Sequence, residues 1–148
     1  MTVVRAKSQW ELPQIEAFLD ECVIPVRLAC VNGRGLPLVC SLWYLYDDGA
    51  IWCATKASSS VAGFLTESSD CGFEIAPESM PYRGVRGQGK VSVLPEEGLP
   101  VLLRLMDRYI GTRESEFAQW LVAQSADEVA IRIEPDWYTA WDFTERMT

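Results

Sequence analysis

The stretch Tyr82 to Pro95, YRGVRGQGKVSVLP, alternates apolar and polar residues in its second half as a half-buried strand does, yet it carries Gly84, Gly87 and Gly89. Glycine weakens an ordinary strand, because it packs no side chain and loses more backbone freedom on folding than other residues. A strand that keeps three of them is one that bulges, coils sharply as in a barrel, or presses its backbone close to something else. The chain is thereby steered toward a curved antiparallel sheet.

The remaining segments agree with that reading. Leu12, Ile15, Phe18 and Leu19 recur at helical spacing with acids on the other side, which predicts a short amphipathic helix in ELPQIEAFLDEC. IPVRLACV reads as a strand, Asn32 to Gly35 supplies hairpin-turn residues, LPLVCSLWYLY reads as a second strand, and Asp47-Asp48-Gly49 turns into a third, AIWCAT. These three strands are expected to form a meander. CGFEIAP gives a fourth strand and EVAIRIEPDWYTAWDF a closing one with an aromatic end. Between them, EEGLPVLLRLMDRYIG places Leu99, Leu102, Leu103, Met106 and Ile110 on one helical stripe, with Gly111 as a C-terminal cap, and ESEFAQWLVAQ makes a further helix. Arg104 and Arg108 lie four residues apart and are expected on a solvated face. No sustained β-α-β rhythm is present. The pattern predicts an α+β fold with five or six antiparallel strands in a barrel-like sheet and two or three helices.

Composition narrows the function classes. The 148 residues suit one domain, and a hydrophobic content of 49% suffices for one sizeable core. Thirteen lysines and arginines against 21 acids leave a net charge of -8, which argues against a surface built on phosphate contacts, so no nucleic-acid partner is expected. No stretch approaches the roughly 20 apolar residues that cross a bilayer, and MTVVRAKSQWELPQIEAF lacks a signal-peptide core, so the expectation is a cytoplasmic protein with no membrane partner. Cys22, Cys30, Cys40, Cys53 and Cys71 form no CxxC pair and lie mostly in apolar runs, as reduced buried thiols do. The absence of histidine removes the usual general base and the commonest zinc ligand together. Chemistry carried by a bound cofactor remains open, since there the protein mainly positions and polarises.

One junction carries that possibility. ATKASSSVAGFL, Ala54 to Leu65, runs from a strand into a helix through Thr55, Lys56 and three consecutive serines, Ser58 to Ser60. Hydroxyls, backbone N–H groups and a helix N-terminus aimed at one small volume favour an anion, and Lys56 adds a point charge. The same serines also serve as ordinary N-caps, so capping alone and anion binding both stand.

The order VRLACV, NGRGLP, LWYLYDDGAIWCAT, the serine-rich helix start, GFEI, YRGVRGQGKVSV, DRYIG and IRIEPDWYTAWDF resembles the pyridoxamine 5'-phosphate oxidase-like proteins, the flavin-binding split-barrel family, from about Arg27 to Phe143. The resemblance implies a single split-barrel domain over residues 1–148, Greek-key-like with peripheral helices, forming a homodimer with flavin sites between subunits. It implies FMN, with FAD or a deazaflavin as alternatives, and a flavin-dependent oxidoreductase acting with a small-molecule substrate or electron donor. Thr55 and Lys56 match the residues that end the phosphate-side strand, Ser59 matches the phosphate-contacting serine, and Ser60 follows it. Leu42 and Trp43 match the ring-lining second strand, Trp52, Cys53 and Ala54 approach along the third, and Gln88 matches a region that reaches the ring from the dimer partner. Arg83 and Arg86 are candidate helpers, and one of Trp137, Tyr138, Trp141 and Phe143 is a candidate wall of the site. Ser60-Val61 stands where firm FMN binders in the family often carry an Arg-Lys pair. That departure favours a second reading, a cofactor-less split barrel that binds a small ligand or acts as a dimeric interaction module. Haem is the weakest option, as no histidine can serve as its axial ligand.

Overall fold

The structure, a computed structural model, describes residues 2–148. Its strands are β1 (Val3–Val4), β2 (Val26–Val31), β3 (Pro37–Leu42), β4 (Leu45–Asp47), β5 (Ala50–Lys56), β6 (Asp70–Ile75), β7 (Arg83–Leu94) and β8 (Glu128–Asp142). Its helices are α1 (Leu12–Glu21), α2 (Ser60–Glu67), α3 (Gly98–Tyr109) and α4 (Glu116–Ala123). The strands form one curled sheet in the order β3-β2-β6-β7-β8-β5-β4, antiparallel throughout, with the short β1 added parallel to β8. This is the α+β split barrel expected from the sequence, with more strands and helices than the pattern suggested.

The glycines of β7 are explained by its neighbours. A Cβ on Gly87 would fall 2.6 Å from Phe73 Cζ and against the carbonyl oxygen of Trp137, and one on Gly89 would fall 2.9 Å from the backbone of Pro135. The register with β8 shifts between Gln88 and Gly89, where Asp136 is the extra residue of a bulge that also accommodates Pro135. Close backbone approach and bulge occur together here, so the strand curls tightly across β6 and β8.

The expected meander is not formed. β3 pairs only with β2, and β4 pairs with β5, which puts the two hairpins at opposite edges of the sheet. The chain breaks between them at Trp43 and Tyr44 because Tyr44 turns fully inward. Its hydroxyl shares its one proton between the carbonyls of Leu19 and Cys22, at 2.8 and 2.7 Å, and its amide donates to the Tyr109 hydroxyl at 3.0 Å. A continuous strand through residues 36–46 would forfeit these bonds to α1 and α3.

Two further corrections concern α3. Its buried stripe is Val101, Leu102, Leu105 and Met106, while Leu99 is exposed, so the apolar seam is rotated from the expected one. Arg108 leaves the solvated face and donates to the carbonyls of Asp20, Leu19 and Cys22 at 2.7 to 3.0 Å, satisfying the C-terminal end of α1. Arg104 stays outside and pairs with Asp47 at 3.0 Å.

The main core fills the barrel with Leu28, Ile51, Cys53, Phe73, Ile75, Val85, Ile131, Ile133 and Tyr138, closed by Ile15 and Leu19 of α1 and Leu65 of α2. A second cluster lies on the other face of β5, where Leu45, Val101, Leu105 and Ala130 pack with Trp43, Trp52 and Ala54. Two apolar layers therefore share β5. Among the described residues no helix is long and apolar enough to cross a membrane.

Candidate functional site

Strand alternation sends Ile51 and Cys53 into the barrel and Trp52 and Ala54 to the opposite face, beneath α3. On that outer face a cavity of about 310 Å³ opens between the ends of β3 and β5, α3, α4 and the start of β8. Ser41, Leu42 and Trp43 form one side, Ala54, Thr55 and Lys56 the second, and Leu102, Leu105 and Leu121 the apolar floor and far wall, with Glu128 at the polar end.

Five of the residues singled out in the sequence thus line one cavity: Leu42, Trp43, Ala54, Thr55 and Lys56. Ser59 sits just past its polar end, as the N-cap of α2, accepting from the Ala62 amide at 3.2 Å and from the Thr55 hydroxyl at 3.4 Å. Ser60 is exposed on the first turn of α2. Cys53 is not part of this site, since its side chain is fully buried on the barrel side of β5. Burial, with smaller contributions from the neighbouring Cys40 and Cys71, pushes its thiol well upward, and burial likewise raises Cys71 to about 12, so these sulfurs are kept neutral.

Gln88 also lies elsewhere within the chain. It lines a separate cavity of about 510 Å³ with Cys30, Cys71, Lys90 and Asp136, and its carbonyl oxygen accepts from Trp137 Nε1 at 3.2 Å. Arg83 faces a third cavity with Trp10 and Phe18, and Arg86 stacks over Trp141 with 4.4 Å between guanidinium and ring. Neither arginine lines the cavity of Lys56. Of the C-terminal aromatics, Tyr138 is core, Trp137 lies under Arg5, and Phe143 lies under Arg146. Val61 is buried in the main core, so a basic residue at that position would face inward in this chain rather than the cavity.

The sequence reading missed three parts of the site. The first is a run of rings: Trp43 stacks on Tyr109 with centroids 5.0 Å apart and an interplanar angle of 8°, and meets the edge of Phe117 at 6.4 Å. Phe117 stacks in turn with Trp120, and both are more than half exposed. The second is α4, whose Leu121 forms part of the wall and whose C-cap residue, Gln124, offers its carbonyl to Lys56 Nζ. A helical pattern in ESEFAQWLVAQ announces the element but not the partner it packs beside. The third is the acidic pair at the start of β8. The register places Glu128 directly opposite Lys56, and the two form an ion pair at 3.1 Å. Asp127 accepts from the Ser58 hydroxyl at 2.9 Å and from the Ser58 amide at 3.4 Å.

Chemically, the cavity offers an apolar, partly aromatic slot that ends in hydroxyls, one ammonium and one carboxylate, with Asp127 held on Ser58 outside the lining. Such a slot suits a planar ring with a polar tail. The apolar end, lined by Leu42, Trp43, Ala54 and the α3 leucines, could hold a planar group, and a polar tail would then meet Thr55 and Lys56, with Ser59 bonded to Thr55 beside them.

No family model matches the chain, and no curated protein matches it. Among solved structures it is similar to a conserved hypothetical protein of Mycobacterium tuberculosis, at 26% identity over 94% of this chain and 89% of the other, with a TM-score of 0.79. It is also similar to an F420 reductase, at 22% identity over 84% of this chain and 94% of the other, TM-score 0.71. A candidate pyridoxamine 5'-phosphate oxidase of Listeria innocua follows at 17% identity over 89% and 97%, TM-score 0.64. The chain has the split-barrel fold of the pyridoxamine 5'-phosphate oxidase-like proteins.

Proposed function

We propose that the chain binds a flavin-type cofactor in the cavity between β5, α3 and α4, and that this cofactor carries a redox reaction on a small molecule. The observation that supports the reading most is the convergence of Leu42, Trp43, Ala54, Thr55 and Lys56 on one cavity with a strand-to-helix junction at its polar end. Similarity of fold to an F420 reductase adds support for a deazaflavin beside FMN and FAD as the group bound. When bound, the group supplies hydride or electron transfer; the chain supplies the apolar slot, the stacking of Trp43 on Tyr109 that holds the slot's shape, and the polar anchor.

The proposal includes a homodimer. Gln88 lines a different cavity of the same chain, so it joins this site only from a second copy. A second reading, a split barrel that holds a small ligand without a flavin, is favoured by one observation: the charge of Lys56 is already met by Glu128. Titration of the purified protein with FMN, riboflavin and a deazaflavin, followed by visible absorption and tryptophan fluorescence, separates the two. The flavin reading expects saturable quenching by at least one of them; its absence at high micromolar concentrations leaves the cofactor-less reading.

A further inference from the structure

We infer that Glu128 is a specificity residue that sets the anion affinity of the cavity, holding Lys56 neutralised so that a ligand with an uncharged or singly charged tail is favoured over a dianionic phosphate. The inference rests on the proposed binding site but concerns which tail it accepts.

The side chains of Thr55, Lys56, Ser58, Ser59 and Glu128 already have partners within the chain. Lys56 Nζ donates to the Gln124 carbonyl and pairs with Glu128 Oε1 at 3.1 Å. The Ser58 hydroxyl and amide both point to the Asp127 carboxylate. The Ser59 oxygen accepts from the Ala62 amide and the Thr55 hydroxyl. This is a built arrangement rather than a chance surface pair, because the Glu128 side chain is only 9% exposed and stands in fixed cross-strand register with Lys56. The backbone holds the segment in place as well, since the Ala57 amide donates to the Asp127 carbonyl at 2.8 Å.

A phosphate monoester brings about -1.5 to -2 charges at pH 7. Seated on Lys56 it would face the buried carboxylate of Glu128 at contact range, while the Asp127 carboxylate stands on Ser58 outside the cavity lining. Like charges in a partly buried site repel more strongly than in water, and the ion pair would have to be broken or shared. Neither Arg83 nor Arg86 lines the cavity to offset this. An uncharged tail meets no such opposition, a singly charged one meets less of it, and either keeps the hydroxyls and Lys56 as donors.

The test is Glu128→Gln, which keeps the side chain's shape and its oxygen acceptor for Lys56 while removing the charge. The probe is inorganic phosphate, read as its effect on the thermal midpoint. The variant is expected to gain phosphate-dependent stabilisation that the parent lacks, with apparent affinity tightened about tenfold or more, equivalent to roughly 1.4 kcal/mol. Adding Lys56→Met to the Glu128→Gln protein should abolish that gain. Equal phosphate response in parent and Glu128→Gln, with both folded, overturns the inference, and so does a gain that survives Lys56→Met. Should Glu128→Gln fail to fold, Asp127→Asn provides the same phosphate readout at the serines, with a smaller gain expected and no gain counting against the inference. FMN, riboflavin and deazaflavin titrations run alongside keep the two readings apart. If FMN and riboflavin both bind the parent and the FMN-to-riboflavin preference is unchanged in Glu128→Gln, the specificity role fails while the flavin reading stands. If FMN, riboflavin and a deazaflavin all fail to bind either protein yet phosphate stabilises only the variant, the flavin reading fails and the role of Glu128 stands.

Discussion

The β7–β8 seam and the β5–α2 junction sit on the same sheet but are built under opposite constraints. At the seam, Gly87 and Gly89 exist because neighbouring backbone leaves no room for a Cβ, and the bulge at Gln88 and Gly89 sets how tightly the sheet curls. At the junction, the side chains are half-exposed, polar and satisfied by one another, and several could change without disturbing the core. The difference teaches where this chain can vary in function. The seam defines the barrel; the junction, lying on the outer face of β5, is held by that barrel but does not hold it up.

If that division is right, the largest effect should come from the seam. Gly87→Ala forces a Cβ against Trp137 and Phe73, and urea unfolding should show a loss of about 3 kcal/mol or no folded protein at all. A change of similar order is expected from alkali acting on the barrel interior. Burial holds Cys71 up at about 12 against an ordinary 9.0, so the folded state retains its proton longer than the unfolded chain. Stability from this source is fully present below pH 9.0 and is lost as pH rises from there toward about 12. At about 1.4 kcal/mol per pH unit, that amounts to roughly 2–3 kcal/mol by about pH 11. Chemical denaturation across that range checks it, and a flat profile between neutral pH and pH 11 would contradict the burial of this thiol.

Next in size is Arg108→Met, which strips three carbonyls at the end of α1 of a charged donor and should cost about 2 kcal/mol by the same unfolding assay. At the junction, Lys56→Met leaves the largely buried Glu128 carboxylate without its ion-pair partner and should cost about 1–2 kcal/mol. The same variant should also weaken binding of any anionic flavin measurably, and a large stability loss without a binding change would reverse the division drawn here. Smallest of all is Gly33→Ala in the β2–β3 turn, where nothing lies within 4 Å of the added Cβ, and the shift should fall within about 0.5 kcal/mol.

The legible parts of the sequence were those where one residue type has one physical use. Three glycines in an alternating strand announced close approach in a curled sheet, and Asp48-Gly49, with φ of 50° and 75°, marked its hairpin turn. The serine-rich start of α2 was legible as a cap, and Ser59 is that cap. What misled was context. LPLVCSLWYLY reads as one strand because both of its halves are apolar, and only the bonds from Tyr44 to α1 and α3 reveal the break. Arg108 looks like a surface residue until α1 is placed beside it. Cys53 follows Trp52 and precedes Ala54 in the motif, yet alternation turns it away from the cavity. Glu128 and Asp127 carried no visible signal, since their significance lies in contacts between residues far apart in the chain: strand register sets Glu128 opposite Lys56, and Asp127 accepts from Ser58, 69 positions away.

The central claim is that a planar ring occupies the slot beside Trp43, and titration followed by tryptophan fluorescence and visible absorption tests it most directly. The account predicts saturable quenching by FMN, riboflavin or a deazaflavin, with a perturbed ligand spectrum, and at least tenfold weaker binding in Trp43→Ala while that variant stays folded. Quenching by none of the three up to high micromolar concentrations, or undiminished binding by folded Trp43→Ala, would contradict it.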